Sequence, residues 1–243
     1  MKTALVTGGT SGIGLQISLM LLRKGVHVII CGRNFNSVQE KIAHELPAGA
    51  PVSYIKADFT IDKDLVKLVE AAKKTAKKIH YLVHSAGVFY AGRIEEASIE
   101  NFDELYKVNT RAPFFITKEL LEPLQKSQGR VVFINSTAGI NSWESIGQYA
   151  ASKHALSAIA GSFQAELEGD GIKVTSVYPA ATDTPMQQKI HLAENRNYDP
   201  EKLIPAREVA EIIVDLLFRS SKTVVSEIVI RSLQGRIITK KRQ

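Results

Sequence analysis

Tyr149 and Lys153 lie four residues apart in GQYAASKHAL, downstream of Ser136 in INSTAG and of an N-terminal TGGTSGIG at 7–14. On a helix, positions i and i+4 share a face, so the Lys153 ammonium stands near the Tyr149 phenol and favours its ionised form. An isolated phenol titrates near ~10, too high for easy proton exchange at neutral pH. A neighbouring cation lowers that value and makes the phenol a usable general acid or base. The pair alone carries little, because with seven Tyr in the chain a Tyr-x-x-x-Lys spacing arises by chance in roughly half of chains this size. Thr7, Gly8, Gly12 and Gly14 at their offsets arise in well under ~1% of chains of average composition. The coincidence of the two motifs, in this order, directs the reading.

In TGGTSGIG a short apolar strand runs into a glycine turn and then into a helix. Gly8 permits the tight turn, Gly12 leaves room for a pyrophosphate, and Gly14 lets helix and strand pack closely, by analogy with the dinucleotide fingerprint. Free N–H groups at the helix start favour phosphate. A glycine turn that merely reverses the chain is the alternative, and the flanking strand and helix are the context that favours the dinucleotide. The second strand ends in CGRN at 31–34, with Arg33 and no carboxylate. An acidic side chain there holds ribose hydroxyls, whereas an Arg accommodates a 2′-phosphate, pairing with it in a fork. The expected cofactor is therefore NADP(H) in preference to NAD(H). An exposed loop Arg remains the alternative, since the glycine turn holds no second basic residue.

These groups need a scaffold. Short β-branched runs (TALVT, VHVIIC, VSYIK, HYLVHS, RVVFINS, KVTSVY, VVSEIVI) alternate with helix-length segments. That rhythm predicts an α/β fold, a single doubly wound Rossmann-type domain over 1–243 with a parallel sheet of about seven strands. Continuously apolar strands are buried on both faces, so helices must cover both sides. Helices are expected at 13–23, 62–77, 99–126 with an interruption near Pro113, 147–168 and 207–219. The stretch 180–205, with Pro185 and Pro200, lacks clear periodicity and reads as a functional loop.

Composition agrees: 243 residues, 44% hydrophobic and 23% charged, are ordinary for a globular chain. The opening apolar run is too short for a signal peptide or membrane span, and the lone Cys31 forms no internal disulfide. A cytoplasmic protein is expected. The net charge is +6, and the basic runs KKTAKK at 73–78 and 240–242 read as solvated surface without the interleaved aromatics that stack bases. Neither a nucleic-acid partner, nor a membrane, nor a metal site is expected.

The chain resembles the short-chain dehydrogenase/reductase family along nearly its whole length. Beyond the glycine turn, KADF carries Asp58, HSAG at 84–87 stands where the family has Asn-Asn-Ala-Gly, KVNT carries Asn109, and YPAATDT at 178–184 is similar to its Pro-Gly segment. The resemblance implies a catalytic tetrad of Asn109, Ser136, Tyr149 and Lys153. It also implies cofactor contacts from Gly8, Ser11, Gly12, Ile13, Gly14, Arg33, Asp58, Phe59, Ala86, Gly87, Tyr149, Lys153, Pro179, Thr182 and Thr184. In the implied mechanism hydride passes between nicotinamide and a carbonyl carbon while Tyr149 gives or takes the proton. Ser136 positions the oxygen, Lys153 holds the ribose and keeps the Tyr149 pKa low, and Asn109 supports a water chain. Each residue also has a plain structural alternative: strand-end cap for Ser136, surface lysine for Lys153, helix-kink satisfier for Asn109, half-buried aromatic for Tyr149. The sequence departs from the family at His84 and Ser85, where a core histidine is expected, at Ala180 in place of Gly, and in a C-terminal segment without Asp-Gly-Gly. A homodimer or homotetramer is the implied assembly.

Substrate contacts are expected from Phe89, Tyr90, Ile140, Trp143, Met186 and 187–198, a mix that suits a small carbonyl or alcohol compound with an apolar body. Reduction of a 3-oxoacyl group on an acyl-carrier protein is an alternative. Its acidic partner would want cations near the end of the tyrosine helix, where Glu166, Glu168 and Asp170 stand instead. An NADP-binding redox sensor without turnover is an alternative of another class, disfavoured because all four tetrad residues are present.

Overall fold

The computed structural model describes residues 1–220 and 222–233; the basic run at 240–242 and the end of the C-terminal segment lie outside them. Seven strands form one parallel sheet: β1 (Thr3–Thr7), β2 (His27–Gly32), β3 (Val52–Lys56), β4 (Tyr81–His84), β5 (Arg130–Ile134), β6 (Lys173–Pro179) and β9 (Glu227–Ile230). Their order is β3-β2-β1-β4-β5-β6-β9. Two-residue strands β7 (Thr182–Asp183) and β8 (Ile204–Pro205) pair separately.

The two faces of the sheet follow from alternation along each strand. In β1 and β2, Leu5, Ile29 and Cys31 point into one apolar layer, which α3 (Asp62–Thr75), α5 (Ala112–Glu119) and α7 (Gly147–Leu167) cover through Leu68, Ile116 and Phe163. Ala4, Val6, Val28 and Ile30 point into the other layer, covered by α1 (Gly12–Arg23), α2 (Asn36–Glu45) and α9 (Ala206–Phe218). Every residue of β1 is buried, as a central parallel strand demands. The chain winds outward in both directions from β1 and β4, so the carboxyl ends of these two strands flank the topological switch point where ligands bind in open α/β sheets.

Three local outcomes differ from the sequence reading. The helix expected over 99–126 is divided into α4 (Ile99–Tyr106), a π-turn at Lys107–Arg111, α5 and α6 (Leu121–Gln125). Its first break comes before Pro113, which sits in the first turn of α5, where a missing N–H is tolerated. The aperiodic stretch 180–205 contains α8 (Pro185–Ala193), capped by Thr184, whose side chain accepts from the Gln187 N–H. The last strand is shorter than VVSEIVI: instead of joining the ladder, the Val225 carbonyl accepts from the Thr175 hydroxyl at 2.7 Å.

Candidate active site

The glycine turn leaves β1 at the switch point. Gly8 adopts φ +65°, and a Cβ there would stand 2.7 Å from the Ala86 nitrogen. Only glycine meets both the conformation and the approach to the backbone beyond β4. A Cβ on Gly14 would meet the Gly8 carbonyl oxygen at 2.5 Å and the Ser85 Oγ at 2.8 Å; its absence lets the first turn of α1 pack directly onto the turn. Ser11 precedes α1 in an extended conformation, and no side chain caps the N-terminus. Its first N–H groups remain available to an anion.

A cleft of about 1670 Å³ runs from this cradle across the carboxyl ends of the strands. Gly8, Ser11, Gly12, Ile13, Arg33, Asp58, Phe59, Ala86, Gly87, Ser136, Tyr149, Lys153, Pro179, Thr182 and Thr184 all line it. Gly14 and Asn109 are not among the lining residues and act from behind the wall. At the outer end, Gly32 leaves room for Thr10 beside the exposed Arg33. Asp58 accepts from both the backbone N–H and the hydroxyl of Thr60, at 2.9 and 2.7 Å. These bonds, with Arg33 adding to them, hold its carboxyl below the usual range.

At the inner end, Tyr149 and Lys153 occupy one buried face of α7. The Lys153 Nζ donates to the Ile134 carbonyl at 3.2 Å and stands 5.9 Å from the centre of the Tyr149 ring. Burial pushes the lysine down to about 8. It pushes Tyr149 up to about 12, opposed by a hydrogen bond with Ser136. In the protein alone the phenol thus stands above its ordinary value rather than below it as expected, because burial disfavours the phenolate. The Ser136 hydroxyl also accepts from the Ala138 N–H at 3.1 Å. Phe89 packs edge-on against Tyr149, ring centres 4.8 Å apart.

Asn109 sits in the π-turn, fully buried. Its Oδ1 accepts from Val88 N–H at 2.9 Å, and its Nδ2 donates to the Val88 carbonyl at 3.0 Å and the Ser152 hydroxyl at 3.1 Å. It ties the segment after β4 to α7. His84 is a core residue, stacked on Phe133 at 4.9 Å and bonded through Nε2 to the Thr117 hydroxyl at 2.8 Å. Burial lowers it to about 3, and its Nδ1 has no partner.

Of the expected substrate contacts, Phe89, Ile140, Trp143 and Met186 line the cleft. Tyr90 is not among the lining residues, and its hydroxyl donates to Glu104 at 2.8 Å. Within the expected stretch 187–198, Gln187, Ile190, Glu194 and Arg196 line the cleft as well, and Lys202 comes from the loop 180–205; sequence reasoning missed Thr10, Thr60, Glu104, Val108 and Arg231, which line it too. Val108 and Glu104 were in principle findable, one residue and just over one helical turn before Asn109. Lys202 and Arg231 reach the cleft through strand pairings that no local pattern announces. Among the described residues no helix is long and apolar enough to cross a membrane, and no group of three or more His, Cys, Asp or Glu is arranged to hold a metal.

Residues 2–195 match the short chain dehydrogenase family. The chain is 31% identical over 231 residues to an uncharacterized oxidoreductase of Staphylococcus epidermidis, spanning 95% of this chain and 96% of that protein. In structure it is similar to an alcohol dehydrogenase from the archaeon Thermococcus sibiricus complexed with 5-hydroxy-NADP, with 27% identity and a TM-score of 0.86 over 97% of this chain and 98% of that one. It is likewise similar to a variant of the actinorhodin polyketide ketoreductase with NADPH, with 25% identity and a TM-score of 0.85 over 97% of each chain. With the switch-point cleft and the glycine turn, these likenesses establish that the chain belongs to the short chain dehydrogenase family and is an oxidoreductase.

Proposed function

We propose that this protein is an NADP(H)-dependent oxidoreductase that interconverts a carbonyl compound and the corresponding alcohol, with Tyr149 as general acid and base. The carrying observation is the juxtaposition of Ser136, Tyr149 and Lys153 at the inner end of the cleft whose outer end holds the glycine turn and Arg33. The residues fit a dinucleotide: an uncapped helix start, a turn held open by Gly8 and Gly14, and a cleft larger than the ~300–1,000 Å³ of ordinary small-ligand sites.

The α1 N-terminus with Ser11, Gly12 and Ile13 would hold the pyrophosphate, Arg33 the 2′-phosphate, and Asp58 and Phe59 the adenine. Ala86, Gly87, Pro179, Thr182 and Thr184 would line the nicotinamide half. When bound, the nicotinamide supplies or accepts the hydride. Tyr149 donates the proton to the carbonyl oxygen in reduction and removes it from the hydroxyl in oxidation. Ser136 holds the same oxygen, a stabilisation of a few kcal/mol in comparable sites. Lys153 is cationic at neutral pH with its pKa near 8. Hydrogen-bonded to a ribose, it keeps its charge close to the phenol and eases its deprotonation. Asn109 fixes the π-turn and supports the water path that returns the proton to solvent. The segment 180–205 forms the substrate loop, and the working unit is a cytoplasmic homodimer or homotetramer.

The test is a panel of ketones and aldehydes run in parallel with NADPH and NADH. Turnover with NADPH, at least about tenfold better than with NADH and losing that margin in Arg33→Ala, is expected from one charge-assisted phosphate contact. A preference for NADH would overturn the assignment of Arg33. NADPH binding without turnover of any carbonyl would instead make the protein a cofactor-binding sensor.

A further inference from the structure

Two cations on the floor of the cleft take no part in the chemistry described above. The β5–β6 pairing sets Ile134 beside Val177, and the β6–β9 pairing sets Pro179 beside Ile230. The second pairing also sets Val177 beside Ile228, so Ile134, Val177 and Ile228 share one row across the sheet, the outer two backbones two strand spacings apart, about 10 Å. Ser136 and Ile230 each follow that row by two residues at the carboxyl end of the sheet, and Arg231 follows Ile230. On the other flank, β8 pairs Ile204 with Thr182, which brings Lys202, two residues earlier, toward Ala180.

Arg231 and Lys202 both line the cleft. Arg231 is exposed and has no ion pair among the described residues. Lys202 meets Asp199 at 3.0 Å, yet its side chain remains 71% exposed. Of the lining acids, Glu194 is already paired with Arg196, Glu104 accepts from the Tyr90 hydroxyl, and Asp58 accepts from Thr60 at the outer end. Positive charge that is only partly compensated therefore flanks Ala180. Gly12 of the pyrophosphate cradle faces Thr184, four residues beyond Ala180, so the cradle borders the same segment. Ile140, Trp143 and Met186 also line the cleft and are 43%, 39% and 37% exposed, an apolar surface that a bound group would cover.

We propose that the substrate is a carbonyl compound bearing a carboxylate a few bonds from the carbonyl carbon, the carboxylate held by Arg231 with Lys202 beside it, and an apolar substituent lying against Ile140, Trp143 and Met186. This rests on the reading that Ser136 and Tyr149 mark the carbonyl position. A guanidinium presents two parallel donors to a carboxylate, and a long stem lets it reach from the strand end toward the reacting centre.

The test is a binding measurement that needs no turnover. The protein, alone and saturated with NADP⁺, is titrated calorimetrically with hexanoate and with the neutral hexanamide. Hexanoate should bind the NADP⁺ complex about tenfold more tightly than hexanamide, as one charge-assisted contact implies. Arg231→Gln should remove most of that preference, Lys202→Gln part of it, and both should leave the NADP⁺ affinity within about twofold. Equal binding of acid and amide, or a preference untouched in Arg231→Gln, would overturn the proposal. So would a marked loss of NADP⁺ affinity in either variant, which would assign the cations to the cofactor. Failure of the oxidoreductase reading shows separately, as absent NADP⁺ binding or as an inert carbonyl panel.

Discussion

Replacing Lys153 by Met should make the protein more stable and inactive at once. The folded protein holds the Lys153 amine near 8, against an ordinary 10.5, because burial disfavours the charge. At pH 7 the amine is protonated in both states, and the shift corresponds to a cost of roughly 3 kcal/mol against the fold. Met preserves the stem and removes the charge, while losing the bond from a charged donor to the Ile134 carbonyl, worth about 1.5 kcal/mol. The net gain is about 1.5 kcal/mol, or about 3–6 °C in Tm for a chain of this size. The pH dependence separates this cause from better packing. Between about pH 8 and 10.5 the unfolded chain binds the Lys153 proton and the folded one does not. Wild-type stability should therefore rise with pH across that window, and the Met variant should lack the rise. Denaturant unfolding of both proteins at pH 7 and near the middle of the window measures both effects. A variant less stable at pH 7, or one with the same pH slope as wild type, would refute the desolvation reasoning. NADPH-dependent turnover should be lost at either pH, as a functional group that the fold carries at a cost predicts.

Gly14→Ala should disrupt the cofactor cradle, because the added methyl would stand 2.5 Å from the Gly8 carbonyl; a loss of about 1–3 kcal/mol in unfolding free energy and of NADP⁺ binding by calorimetry is expected, and near-normal affinity would contradict it. His84 is held neutral down to about 3 while the unfolded ring protonates near ~6.5, so its contribution is present above that value and is lost as pH falls toward 3. His84→Asn should flatten this acid limb of the stability curve, measured by thermal unfolding from pH 7 to 4, and an unchanged limb would place the acid sensitivity elsewhere.

Most of the sheet was legible because its strands are apolar on both faces. Runs such as VHVIIC leave no other placement for so much β-branched surface, and the six strands from β1 to β6 lie within a residue or two of the expected runs. The boundaries that moved were set by groups distant in sequence. Asn109 breaks the long helix by turning its amide to Val88, a partner no helical periodicity can announce, while Pro113 is harmless one turn later. Helix α8 did carry a local signal, Thr184 as N-cap followed by Pro185, but its apolar residues are too few to form a stripe. In α2 only Val38 and Ile42 are buried, and it was not singled out for the same reason.

The site divides in the same way. Gly8, Gly12, Tyr149 and Lys153 could be listed from motif spacing, and the fold brings them into one cleft. The sign of the Tyr149 shift could not, because spacing places a cation nearby but says nothing of the burial that raises the phenol. Nor could Arg231 and Lys202, which come to the cleft floor only through the pairing of β6 with β9 and of β7 with β8.

The most direct measurement is NADPH oxidation by wild-type protein and Tyr149→Phe across one carbonyl panel, with NADP⁺ affinity measured on both. If Tyr149 is the proton donor, the variant binds NADP⁺ within about threefold of wild type and loses turnover by at least the ~10²-fold that a positioned general acid contributes. Turnover surviving in the variant, with cofactor binding intact, would contradict the assignment of Tyr149 and with it the proposed chemistry of the cleft.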